Sequence, residues 1–195
     1  MHDAPTYVAA GSRLRLRALD HRDIEEVGAW LGNDELRRSY LVTRDEIPGE
    51  AVVRDVIDWA GGTDGVAAWA IEHVDGRLMG MGNWKPDLPF TWVYEIEVTL
   101  GPAIETGRGY GTEAHRLVID HLFETVDSCA KLFGRIALFN DAMLAICPKL
   151  GAVAEGRLRA HARLGDEPVD LMVFGILRED WEEAKRARSA LSVSA

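Results

Sequence analysis

The feature that most constrains this chain is Thr106-Gly107-Arg108-Gly109-Tyr110-Gly111-Thr112-Glu113, a glycine-rich turn between a β-like run at 92–100 and a helix-like run at 113–124. A strand, a glycine turn and a helix start together make an anion site. Glycine has no Cβ to hold a phosphate off, and a first helical turn aims free N–H groups and the positive end of its dipole at the guest. A pyrophosphate is the natural guest. A dinucleotide fingerprint needs a third glycine three residues after the second, where Thr112 stands, and a P-loop needs Gly-Lys-Ser/Thr, which is absent. On spacing alone an ordinary tight strand-to-helix turn stays open beside the phosphate cradle.

The 195 residues suit one domain across 1–195, with 1–11 expected to be flexible and 178–195 read as a charged helix or tail. A formal charge of −10 argues against nucleic acid as a partner, since phosphate contacts need clustered basic side chains. The same charge favours a cationic or amine-bearing substrate by long-range attraction, or simply keeps the chain soluble. No apolar run approaches the roughly 20 residues that cross a bilayer, and the start lacks a basic region followed by an apolar stretch. A soluble, cytoplasmic protein is therefore expected. Cys129 and Cys147 are too few for a disulfide framework and lack ligand spacing, so free thiols and no metal are expected.

Arg13, Leu14, Arg15, Leu16 and Arg17 alternate with period two, which predicts a strand whose arginines face solvent. Asp20 can cap a helix carrying Ile24, Val27, Trp30 and Leu31, and a second helix is predicted over 49–60, ended by Gly61 and Gly62. Strands at 66–73 and 77–84 flank the hairpin signal Asp75-Gly76, and a loop at 86–89 precedes the strand at 92–100. Beyond the glycine turn, a strand at 132–139, a short helix at 141–150 disturbed by Pro148, and strands at 152–160 and 169–177 complete the pattern. The alternation predicts a mixed α/β or α+β sheet.

Taken together, the run Tyr94 through Leu100, the Gly-Arg-Gly-Tyr-Gly-Thr-Glu-Ala segment at 107–114, and Asn140 followed by Lys149-Leu150-Gly151 and Glu155-Gly156-Arg157-Leu158-Arg159 resemble the GNAT acyltransferase superfamily. Within it they look most like the ribosomal-protein N-terminal acetyltransferase branch. The resemblance covers about 14–181, with its parts in the family's order. It implies the GNAT fold, a mixed central sheet whose two parallel strands splay around an acyl-CoA cleft with flanking helices. It also implies acetyl-CoA as cosubstrate and an amine acceptor, either a peptide N-terminus or a small cationic molecule. A non-catalytic acyl-CoA-binding protein and an enzyme using a longer acyl-CoA remain as alternatives, and a homodimer stays open.

The resemblance carries roles onto particular residues. The backbone of Thr106, Gly107, Arg108, Gly109, Tyr110, Gly111 and Thr112 would hold the pyrophosphate, Val98, Thr99 and Leu100 the pantetheine arm and thioester carbonyl, and Asn140 the CoA side of the cleft. Thr106 stands where the family uses Arg, Gln or an aromatic residue. Asn140 could equally be a helix cap. Glu95 and Glu97, at i and i+2 of one strand, share a face, and either could receive the amine's proton if that face lines the cleft. Glu95 matches a recurrent family glutamate, whereas Glu97 stands where glycine is usual. The family's tyrosine donor is replaced by Cys147 and its serine by Met143, so Cys147 is the candidate acid, with a buried hydrophobic role or protonation by solvent as the alternatives. Trp84 and Trp92 are read as core or as pocket walls, and the histidines His73, His115 and His121 lack a paired ligand at the spacing that a metal site needs.

Overall fold

In a computed structural model the described residues are 6–32, 48–102, 104 and 107–193, with side chains described as far as 190. An eight-stranded sheet runs through them in the order β1-β2-β3-β4-β5-β6-β8-β7. Its strands are β1 (Tyr7–Ala10), β2 (Leu14–Ala18), β3 (Ala67–His73), β4 (Leu78–Asp87), β5 (Phe90–Leu100), β6 (Lys131–Ala137), β7 (Val153–Leu164) and β8 (Glu167–Leu177). The helices are α1 (Ile24–Leu31), α2 (Gly49–Gly62), α3 (Tyr110–Thr125), α4 (Asp141–Ile146) and α5 (Arg178–Val193). The mixed α/β architecture read from the alternation of periods is the one observed.

Every strand pairing is antiparallel except β5 with β6. That parallel pair is short. It joins Val93 to Lys131, Tyr94 to Leu132 and Glu95 to Phe133, after which the two strands part although β5 continues to Leu100 and β6 to Ala137. Beyond the parting β5 stays paired with β4 as far as Leu100 opposite Gly80. Gly101 N–H donates to Met79 O at 2.8 Å, so the odd positions of this strand aim their backbone groups at β4. The even positions Ile96, Val98 and Leu100 therefore turn theirs toward the gap.

Two apolar clusters sandwich the sheet. On one face α3 packs Ala114, Leu117, Val118, Leu122 and Phe123 against Leu14, Leu16, Ile71, Met79, Trp84 and Tyr94, and Trp181 of α5 joins them. On the other, Val27, Trp30 and Leu31 of α1 and Val53 of α2 cover Ala68, Ala70 and Met81. These are the period-two and helical stripes of the sequence, each turned inward.

Several expectations are corrected. Arg17 does not face solvent. It is 4% exposed and is held by Asp23 and Glu72, because the 3-10 turn His21–Asp23 covers the second face of β2. Arg15 lies over the Tyr7 ring at 4.1 Å, and Tyr7–Ala10, expected to belong to a flexible start, is a strand paired with β2. The loop at 86–89 is shorter than predicted, since Pro86 and Asp87 complete β4 and β5 begins at Phe90. The helix at 141–150 divides at Cys147 into α4 and a 3-10 turn, Cys147–Leu150, where Pro148 supplies no N–H to continue the α-helical ladder.

Candidate active site

The glycine turn closes over the gap end of β5. Gly107 and Gly109 have φ of +79° and +81°, a left-handed backbone that side chains rarely tolerate, and Gly109 caps α3 without any side-chain bond. Glu113 N–H is the first to find a helical acceptor, Gly109 O at 3.0 Å. Among the described residues the N–H groups of Tyr110, Gly111 and Thr112 have no backbone acceptor, as expected of a first helical turn, an arrangement that suits a pyrophosphate. Thr106 lies outside the described residues.

Side chains to which the sequence reading gave no such role, Arg13 among the arginines expected to face solvent, fix this turn. Arg13, on the approach to β2, donates to Glu113 Oε2 of α3 through its Nε and Nη2, each at 2.7 Å, and its backbone N–H donates to Oε1 at 2.7 Å. Its Nη1 donates to Arg108 O at 3.0 Å, and the guanidinium covers the Tyr110 ring at 4.1 Å. Burial by itself would raise the Glu113 carboxyl, but hydrogen bonds from the Arg13 backbone, the Arg13 side chain and Ser12 outweigh it and hold the group below its ordinary value. His115, deeply buried, donates from Nδ1 to Gly111 O at 2.8 Å, and burial holds it below the usual histidine range, hence neutral.

Gly111 faces α4. A Cβ there would stand 2.8 Å from Ile146 Cδ1 and 3.6 Å from Leu100 Cδ1. Asn140 caps α4, its Oδ1 accepting from Met143 N–H at 3.1 Å, so the capping role foreseen for it is present. Cys147 is buried, and desolvation pushes its thiol up to about 11. Among the predicted pantetheine contacts, Val98 and Leu100 turn backbone groups to the gap, while the Thr99 hydroxyl is buried and finds no hydrogen-bond partner among the described residues.

Glu95 and Glu97 share the sheet face opposite α3, as their spacing predicted, and Lys85 Nζ touches both, at 3.0 Å from Glu95 Oε2 and 3.8 Å from Glu97 Oε1. Arg135 reaches from β6 across the parting to Glu95 Oε1 with Nε at 2.7 Å and Nη2 at 2.6 Å. Asn83 Nδ2 donates to Glu97 Oε2 at 3.2 Å, and Trp59 of α2 lies 5.6 Å from Lys85 Nζ. Lys85 was legible only through register, since the hairpin sets it opposite Glu95. Arg135 carried no local signal. Trp84 is core and packs with Trp69 and His121, whereas Trp92 is exposed beside Phe90. No group of three or more His, Cys, Asp or Glu that could hold a metal ion occurs among the described residues, and no described helix is long and apolar enough to cross a membrane.

Acyl transfer to an amine needs donors for a phosphate-bearing carrier, a slot for a thioester and a polar face from which a nucleophile can approach. The glycine turn, the gap and the carboxylate face all lie about β5. Comparison with known proteins gives the family and the fold. The family model described as an acetyltransferase (GNAT) domain matches residues 13–153. The fold is similar to spermidine N-acetyltransferase from Vibrio cholerae, solved with CoA and spermine, at a TM-score of 0.77 and 18% identity over 88% of this chain and 99% of that one. It is similar also to a GNAT-family acetyltransferase from Bacillus anthracis, with TM-score 0.73, 18% identity and coverage of 88% and 98%. A GCN5-related N-acetyltransferase from Brucella melitensis gives TM-score 0.72, 21% identity and coverage of 93% and 83%. No curated protein matches the sequence.

Proposed function

We infer the reaction from one premise, that the chain belongs to the GNAT acetyltransferase family: it moves acetyl from acetyl-CoA to a primary amine by direct attack within a ternary complex. The observation that carries this reading is the alignment of the α3 cradle with the parting of β5 and β6 just beyond Glu95. The first-turn N–H groups bind the pyrophosphate of the donor, Gly107 and Gly109 admit it, and the gap-facing backbone of Val98 and Leu100 holds the pantetheine and polarises the thioester carbonyl. Asn140 sets α4 against that arm.

The acceptor enters from the opposite sheet face, where Glu95 and Glu97 stand. A small cationic amine fits that face and the −10 charge of the chain, and a fold neighbour is a spermidine N-acetyltransferase. A peptide α-amino group, the acceptor implied by the resemblance to ribosomal-protein N-terminal acetyltransferases, presents the same reacting nitrogen. Two buried, unbridged thiols suit a cytoplasmic setting.

Calorimetric titration of acetyl-CoA into the wild type and into Gly109→Val tests the donor site. Saturable binding by the wild type and its loss in a folded variant is the expected result. Absence of saturable binding by the folded wild type overturns the acetyl-CoA assignment.

A further inference from the structure

The two carboxylates on the acceptor face are not equivalent. Glu95 is 5% exposed and both of its oxygens are taken, Oε1 by Arg135 Nε and Nη2 and Oε2 by Lys85 Nζ. A proton arriving on either oxygen would break one of these close ion pairs, with Arg135 at Oε1 or with Lys85 at Oε2. The Glu97 side chain is 40% exposed, and its contacts are longer, Asn83 at 3.2 Å and Lys85 at 3.8 Å. A carboxylate offers about four lone-pair sites, so Glu97 retains acceptor capacity for a newcomer. It also lies past the last parallel pair and directly precedes Val98, whose backbone faces the gap.

Arg135 occupies the β6 position two residues beyond Phe133, where continued pairing would have set it opposite Glu97. It turns back instead to Glu95 and so ties the two strands together just where they separate. Lys85, fixed on Glu95, keeps its ammonium near Glu97 and over the Trp59 ring.

We propose that Glu97 is the carboxylate that binds the acceptor's ammonium and takes its proton, while Arg135, Glu95 and Lys85 form a fixed ion cluster that positions the strands at their parting, an assignment that rests on the acetyl-transfer reading. The ammonium proton passes to the Glu97 carboxylate. The freed nitrogen lone pair forms the N–C bond at the thioester carbonyl carbon, and the C–S bond breaks with its electron pair leaving on the CoA sulfur. The second proton lost by that nitrogen accounts for the CoA thiol, through water, and Glu97 returns its own proton to solvent. One amide, one thiol and one released proton balance the ammonium and the thioester consumed.

Initial rates of thiol release from acetyl-CoA, with spermidine and alanyl-alanine amide as probe amines, separate the roles. Glu97→Gln should lower kcat/KM for the amine on the order of 10²-fold with the KM for acetyl-CoA and the melting temperature unchanged. Glu95→Gln should lower the melting temperature. The double variant Glu95→Met/Arg135→Met removes both charges of the pair and should fold while keeping transfer within about tenfold of the wild type. Wild-type rates in Glu97→Gln would overturn the proposal. So would a double variant as impaired as Glu97→Gln, which would return the role to Glu95. Transfer by the wild type to neither amine would overturn the amine-acceptor reading together with this one, a result distinct from both.

Discussion

Arg13 and Glu113, 100 positions apart in the sequence, are joined side chain to side chain at 2.7 Å, and the same guanidinium holds Arg108 O at 3.0 Å. The N-terminal strand thereby braces the glycine turn and the first turn of α3 as one unit. Arg13→Met is expected to weaken acetyl-CoA binding by about tenfold, through loss of a preorganised cradle, while costing only about 1 kcal/mol of stability because the pair is partly solvated. Calorimetry and urea denaturation on the same preparation check the split. The sign with pH follows from the depressed Glu113 carboxyl. Its stabilisation is complete above the ordinary 4.5 and is lost as pH falls through the lower folded value, so the stability difference between wild type and Arg13→Met should shrink below pH 4.5.

Arg17 is the hub of a buried ion cluster, 2.6 Å from Asp23 Oδ1 and 2.6 Å from Glu72 Oε1, with Tyr7 donating to Glu72 Oε2 at 2.8 Å. Arg17→Met strands two buried carboxylates and should cost roughly 3–5 kcal/mol. A shift of the urea midpoint at constant m-value would show it.

How the chain announces its fold can be read from these arginines. Alternation in residues 13–17 located β2 correctly, and the stripes of α1, α2 and α3 likewise specified their own inward faces. Alternation says that a strand has two faces; it does not say that both are covered. Arg17 is buried because a 3-10 turn and β3 close over it, a tertiary fact absent from any local window. The glycine turn was legible for the opposite reason, since left-handed backbone and close approach demand glycine locally. Glu95 and Glu97 could be placed on one face by spacing alone, yet the difference between them depends on Arg135 and Lys85, which arrive from other strands.

Gly101, just past β5, lies under the Trp30 indole, and a Cβ there would stand 2.8 Å from three of its ring atoms. Gly101→Ala should destabilise the protein by about 1–3 kcal/mol through overpacking. Trp30→Leu in the same chain should recover part of that loss. A double-mutant cycle by thermal denaturation measures the coupling, and strict additivity would refute the contact as its origin.

Cys147 occupies the position at which the resemblance looks for the acid that protonates the departing thiolate. Burial pushes its thiol up to about 11, whereas an ordinary thiol titrates near 8.5. Moving a proton from Cys147 to a CoA thiolate is therefore uphill by roughly 3 kcal/mol at 1.36 kcal/mol per pKa unit, a poor match for general-acid work. The thiolate can instead take its proton from solvent, through water, as the CoA leaves. Cys147→Ala is accordingly expected to keep kcat within about threefold of the wild type, with a loss of stability from the small cavity as its main effect. Steady-state rates with saturating acetyl-CoA decide the matter: a fall of about 10²-fold in a variant that still binds acetyl-CoA normally would make Cys147 the proton donor after all.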